Sequence, residues 1–193
     1  MTAINTAWWQ RFTGKYITRP VHIAPLAVLR MVFGAVMFIS TARFMASGWV
    51  KDFYITPAFH FPFYGFEWVQ PLAPAGMYLL YGGMLLAALC VALGWYYRAA
   101  IAAFLLCFGY AELIDKTYYL NHYYLVSIIA FLLLLTPAHR YFSLDVVRRP
   151  GLKVTQVPAW TINIFRWQLC IVYFFAGLSK VNYDWLIAAM PMR

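Results

Sequence analysis

Lys116 ends a long apolar run within Ala111–Leu125 (AELIDKTYYLNHYYL), where Glu112, Asp115, Asn121 and His122 are its polar neighbours in the chain. An ionisable residue at membrane depth is a functional candidate by default, whereas a lysine closing a spanning helix also snorkels to the headgroups. Lysine amines titrate near about 10.4 in water, so one that serves as a base must be desolvated or lie beside other cations. Burial among Tyr118, Tyr119, Tyr123 and an aromatic outer segment would supply the desolvation, and the sequence leaves open whether it prevails over nearby carboxylates. Asp115 and Glu112, the latter one helical turn earlier, would hold the ammonium form if they faced it. Asn121 has two roles open to it, orienting the amine or capping the helix that follows, while His122 reads as functional.

Other chemistries find little support. Cys90, Cys107 and Cys170 lie singly in apolar runs without a Cys-x-x-Cys pair, so they read as core residues rather than a redox centre. His22, His60, His122 and His139 are far apart and form no helical pair of metal-ligand spacing, so no metal is expected. A haem between His122 and another histidine has nothing to single it out. No phosphate-cradling glycine loop or serine nucleophile motif occurs. Arg30 and Arg166 are the other charges inside apolar runs. They are expected to face the bundle interior or a wet cavity and to hold helices together. Lys180 and Asp184 are spaced for an exposed ion pair of small energetic value.

The elements that position these residues are written for lipid. Of 193 residues, 64% are hydrophobic and 11% charged, well under the quarter that soluble domains carry, and the mean hydropathy is +0.68. The net charge of +9 is scattered among apolar segments, which speaks for membrane topology and against nucleic acid. The pattern predicts an all-α integral membrane bundle, one transmembrane domain over 1–193, with about five spans at 23–45, 75–97, 99–119, 121–137 and 159–180. The uncharged second span is the firmest, covering roughly 34 Å at 1.5 Å per residue. Trp8, Phe12 and Tyr16 recur every fourth residue between Arg11, Lys15 and Arg19. This predicts an interfacial amphipathic helix over 1–20 rather than a cleaved signal peptide. Gly48–Gly76 is rich in proline and aromatic rings. It is expected in the outer interface or dipping in where protein shields its backbone, and it brings His60, Glu67 and Trp68 to the compartment of Lys116. A cytoplasmic N-terminus puts Arg98, Arg140, Arg148, Arg149 and Lys153 inside and leaves chiefly Lys51, Lys116 and Lys180 outside, as the positive-inside rule asks.

Four blocks in register, Phe59–Leu72, Leu113–Leu125, Thr136–Asp145 and Val157–Leu186, resemble the transmembrane part of the vitamin K-dependent γ-glutamyl carboxylases and their bacterial relatives of the horizontally-transferred-transmembrane-domain (HTTM) type. The resemblance implies that Lys116 is a free amine that deprotonates reduced vitamin K, a menaquinol-like quinol. Oxygen then yields the epoxide together with a base strong enough to remove a glutamate γ-proton, and carbon dioxide adds. It implies supporting roles for His122 and Asn121, substrate contacts at His60, Trp68 and Tyr119, a site toward the extracytoplasmic side, and no metal. Carboxylases of this type continue well past the position of Arg193, so the expectation is a truncated relative that needs a missing C-terminal part or a second protein chain to carboxylate glutamate. The rival reading, from a different class, is a non-catalytic membrane subunit or anchor of a quinone-linked oxidoreductase. The spacing of Arg166, Gly177 and Lys180 is similar to that of small membrane proteins of the DoxX type.

Overall fold

The computed structural model describes residues 13–181, which divide into two units, 22–157 and the described parts of 1–21 and 158–193. In the first unit, α1 (Ala24–Ala46), α2 (Pro74–Leu93), α3 (Tyr97–Ile114) and α4 (Asn121–Leu135) each pack on the next. The second holds a π-helical turn at Thr13–Thr18 and α6 (Trp160–Leu178). A short α5 (Leu144–Arg148) lies between, in the first unit. Strand β1 is Pro20–His22 and β2 is Gln156–Pro158. α1, α2, α3 and α6 are long and apolar enough to cross a membrane, and α4 is a shorter apolar helix. The chain is therefore an all-α, multi-pass integral membrane bundle.

Sequence explains several helix boundaries directly. α1 and α2 each begin with proline in the first turn, where a missing N–H costs nothing. α2 stops because Gly94 takes the left-handed conformation (φ +65°) and closes its last turn onto Cys90 and Val91. This shortens the predicted span 75–97 at its end. α3 stops at Ile114 and not at Tyr119, because Asp115 is extended and starts a separate 3₁₀ turn, Lys116–Tyr118. The predicted interfacial helix falls largely outside the described residues, Trp8 and Phe12 included. Asp184, the expected partner of Lys180, lies outside them as well.

The packing shows what solvent the helices were made for. Phe33 of α1 meets Phe104 of α3 edge to face, with centroids 5.7 Å apart, in a core shared with Met37, Met84 and Ile101. Val28, Val32, Val36 and Ile39 form an exposed apolar stripe on α1, a face that only lipid tails or another apolar surface can cover. Gly34 lets α1 approach α2 closely: a Cβ there would lie 2.7 Å from Ala92 Cα and 2.9 Å from the Ala88 carbonyl oxygen. The cysteines are not the core residues their neighbourhoods predicted. Cys90 and Cys107 are half-buried and Cys170 is exposed, a placement that lipid tolerates as readily as a core.

One buried cation ties this unit together. Arg30 is 0% exposed. Its Nη1 donates to the Val91 and Ala92 carbonyls at 2.7 and 3.0 Å, and its Nη2 donates to Phe142 at 2.6 Å. The guanidinium thus joins α1 to the end of α2 and to the segment before α5. In the second unit, Ala159 N–H donates to Arg19 and Asn163 Nδ2 to Tyr16, at 2.9 and 2.8 Å. Arg166 is exposed there and donates to Asn163 Oδ1 at 3.3 Å, so it serves its own helix surface rather than the interior foreseen for it.

Candidate functional site

The loop that carries Lys116 is built by Asp115. Its Oδ1 accepts the Thr117 N–H at 2.9 Å and the Thr117 hydroxyl at 2.7 Å, which organises the 3₁₀ turn. That carboxylate is therefore engaged within its own turn through Oδ1. The Lys116 N–H donates 2.8 Å to the Phe61 carbonyl, and the Tyr118 ring stacks on Phe53 with centroids 4.8 Å apart. Two independent contacts thus fasten the lysine loop to the aromatic outer segment.

Burial of Lys116 among tyrosines does not occur in this fold. Lys116, Tyr118, Tyr119, Asn121 and His122 are all exposed, while Tyr123 turns inward. His122 leans edge-on against Tyr123, with centroids 4.5 Å apart. Leu120 occupies the position before α4, and no side chain caps that end, so Asn121 does not have the capping role that was its alternative.

The outer segment encloses a hollow of about 450 Å³ whose lining includes Tyr54, Phe59, His60, Glu67, Gln70 and Ile114. His60 Nε2 lies 3.2 Å from the Phe53 carbonyl, and the Tyr110 hydroxyl donates to the Gln70 carbonyl at 2.7 Å, which secures the segment to α3. Gly65 turns the chain at φ +84°, a value suited to glycine. Its N–H donates to Glu67 Oε1 at 3.0 Å. Backbone N–H groups, Glu67's own and that of Gly65, hold the Glu67 carboxyl below its usual range. Trp68 is 73% exposed and packs near Phe66. Of the expected substrate contacts, His60 lines the hollow; Trp68 and Tyr119 do not.

A second, smaller cavity of about 50 Å³ lies inside the bundle, lined among others by Ser40, Thr41, Tyr54, Tyr81, Glu112 and Tyr123. Tyr54 borders both spaces. Burial pushes its hydroxyl up to about 12, opposed by a hydrogen bond with Tyr81. Phe44 lies flat on Tyr81 at 5.1 Å and closes one side. Glu112, read from sequence only as a neighbour of Lys116, instead faces this interior cluster. The signal that would have found it is plain: it is an acid inside an apolar helix. Among the described residues, no group of three or more histidine, cysteine or acidic side chains is arranged to hold a metal ion.

No solved structure matches the chain. The HTTM domain matches residues 18–193, covering both the lysine loop and the aromatic outer segment. The chain therefore belongs to the HTTM domain family, the domain of the vitamin K-dependent carboxylases.

Proposed function

We propose that this membrane protein is a carboxylase-like enzyme that oxygenates a reduced quinone of the vitamin K kind, with Lys116 as its base. The observation that carries this reading is the attachment of the lysine loop to the aromatic segment that forms the outer hollow, by Lys116 N–H on the Phe61 carbonyl, between the lining residues His60 and Pro62, and by Tyr118 on Phe53. The hollow suits such a ligand chemically: Phe59, Val69, Pro71 and Ile114 offer apolar walls to a ring, and His60, Glu67 and Gln70 offer polar partners to its hydroxyls. Reduced vitamin K supplies, with oxygen, the driving force for removing a glutamate γ-proton ahead of carbon dioxide addition. Lys116 takes a hydroxyl proton, an act that requires hydrogen-bond reach. The amine is exposed in this fold, so its desolvation must come from the bound quinol itself. Its four-carbon stem gives it freedom to move there from a fixed loop backbone. His122 and Asn121, exposed beside that loop, orient the amine. A cytoplasmic N-terminus, with this site on the extracytoplasmic side, completes the reading.

A second reading, a non-catalytic membrane subunit, is favoured by one observation. Lys116, Tyr119, Asn121 and His122 are exposed, and none of them lines either cavity. One experiment separates the two. Purified protein in lipid, given reduced vitamin K and oxygen, is expected to form the epoxide; Lys116→Ala abolishes this, and an added small amine restores part of it. Unchanged turnover in the alanine variant removes Lys116 from the mechanism. No epoxide from the unaltered chain favours the subunit.

A further inference from the structure

At the end of the 22–157 unit opposite the lysine loop, a hollow of about 340 Å³ opens between the α2–α3 turn, the segment around His139 and α5. Its lining includes Tyr96, Arg98, His139, Asp145, Arg148 and Arg149. We propose that this hollow binds a phosphate group, carried by an anionic lipid headgroup or present as the free anion. The proposal is independent of any chemistry at Lys116.

The charge in the hollow is unbalanced. Three guanidinium groups share it with a single carboxylate, that of Asp145. Both oxygens of that carboxylate are already engaged: Oδ1 accepts the Tyr96 N–H at 2.9 Å and Oδ2 the Tyr97 N–H at 3.0 Å, holding the start of α3. Asp145 is thus spent on backbone, and the arginines retain most of their donors. Arg148 is preset, its guanidinium centred 4.2 Å over the Tyr96 ring and its Nη2 donating to the Tyr96 hydroxyl at 2.9 Å. Arg98 donates to the Leu134 carbonyl through Nη1, which leaves its other N–H groups available. Arg149 is exposed beside them. A planar guanidinium fork matches phosphate oxygens in pairs. His139 also lines the hollow, its ring stacked on Tyr97.

Depth supports the same ligand. The exposed rings of Trp95 and Tyr96 sit at the reversal between two spanning helices, the level at which aromatic side chains meet headgroups. Basic pockets between helices at such a boundary are suited to lipid phosphates.

The test uses the full chain. In nanodiscs containing equal phosphatidylglycerol and phosphatidylcholine, native mass spectrometry of the ejected complex reads which lipid is retained, and a parallel titration in neutral detergent uses inorganic phosphate alone. Phosphatidylglycerol is expected to be retained over phosphatidylcholine by on the order of tenfold. That preference should fall toward unity in Arg148→Gln/Arg149→Gln and survive in Lys51→Gln at the other end. Arg149→Gln alone, which removes no hydrogen bond seen in the structure, should weaken retention even if the double variant is unstable. Arginine-dependent binding of inorganic phosphate as well would assign the free anion as a second source. Equal retention of both lipids with no phosphate binding, or a preference indifferent to both arginine variants, overturns the proposal.

Discussion

Arg30 is the residue whose loss this fold should tolerate least. It sits fully buried and gives hydrogen bonds to Val91, Ala92 and Phe142. Arg30→Leu takes this donor from the Ala92 and Phe142 carbonyls in a low-dielectric interior, while Val91 keeps the Gly94 N–H, with an expected cost of about 1–3 kcal/mol for each carbonyl left unpaired. Lysine lacks the planar fork, so Arg30→Lys should recover only part; thermal unfolding in detergent, followed by tryptophan fluorescence, checks both. His139 makes a prediction about pH. Burial, followed by the cations Arg98, Arg140 and Arg30 and opposed by Asp145, holds its imidazole below the ordinary value of 6.5. The unfolded chain then binds the extra proton more readily than the folded one. Stability from the neutral ring is complete above that ordinary value and is lost as pH falls from there through the lower folded value. Unfolding temperature should drop as pH falls below about 6.5, and drop less in His139→Phe, which keeps a ring against Tyr97, now 5.2 Å away. Equal pH sensitivity in both proteins would remove His139 from the explanation.

At the scale of elements, the α1–α2 contact depends on the absence of a side chain at Gly34. A Cβ there meets the backbone of Ala92 and Ala88, which cannot move aside as a flexible side-chain tip can. Gly34→Val is therefore expected to destabilise by about 1–3 kcal/mol or to force the helices apart. Gly83→Ala, in α2 but with nothing within 4 Å of its added carbon, should be neutral or gain up to about 1 kcal/mol from helix propensity. Matched unfolding curves for the two variants test whether close approach or helix propensity governs the contact. α3 shows a different dependence, since its start is held by Asp145 from α5, a residue distant in sequence.

At the scale of the molecule, the two ends of the 22–157 unit differ in charge and composition. Arg98, Arg140, Arg148, Arg149 and Lys153 gather at the end with the α2–α3 turn, while the opposite end carries Lys51 and Lys116 amid aromatic rings. The proposed orientation, with a cytoplasmic N-terminus, puts the arginine-rich end in the cytoplasm, as the positive-inside rule prefers. In a background lacking Cys90, Cys107 and Cys170, an impermeant maleimide added outside intact cells should label Asp52→Cys and spare Val147→Cys. The reverse pattern would invert the topology and move the Lys116 loop to the cytoplasmic side.

The sequence by itself determined the class of solvent, the helical character and the order of the elements, because hydropathy and period act locally and do not require knowing which segments meet. Gly94 ends α2 inside the predicted span 75–97, a stop carried by one residue's backbone preference that hydropathy alone runs past. Tertiary structure alone decided where the polar groups point. Asp115 and Glu112 lie three residues apart, yet one organises the lysine loop and the other faces an interior cavity with Tyr54, Tyr81 and Tyr123. Side-chain direction around a helix end depends on which neighbours arrive from distant segments. Lys116 is the sharpest case: its position at the end of an apolar run was legible, but its exposure was not, because the aromatic segment that fastens its backbone through Phe61 leaves its side chain uncovered. Arg30 and Arg166 looked alike as cations inside apolar runs, yet one is wholly buried against three carbonyls and the other exposed beside Asn163. Only packing against a particular partner supplies the acceptors that let a charge leave solvent.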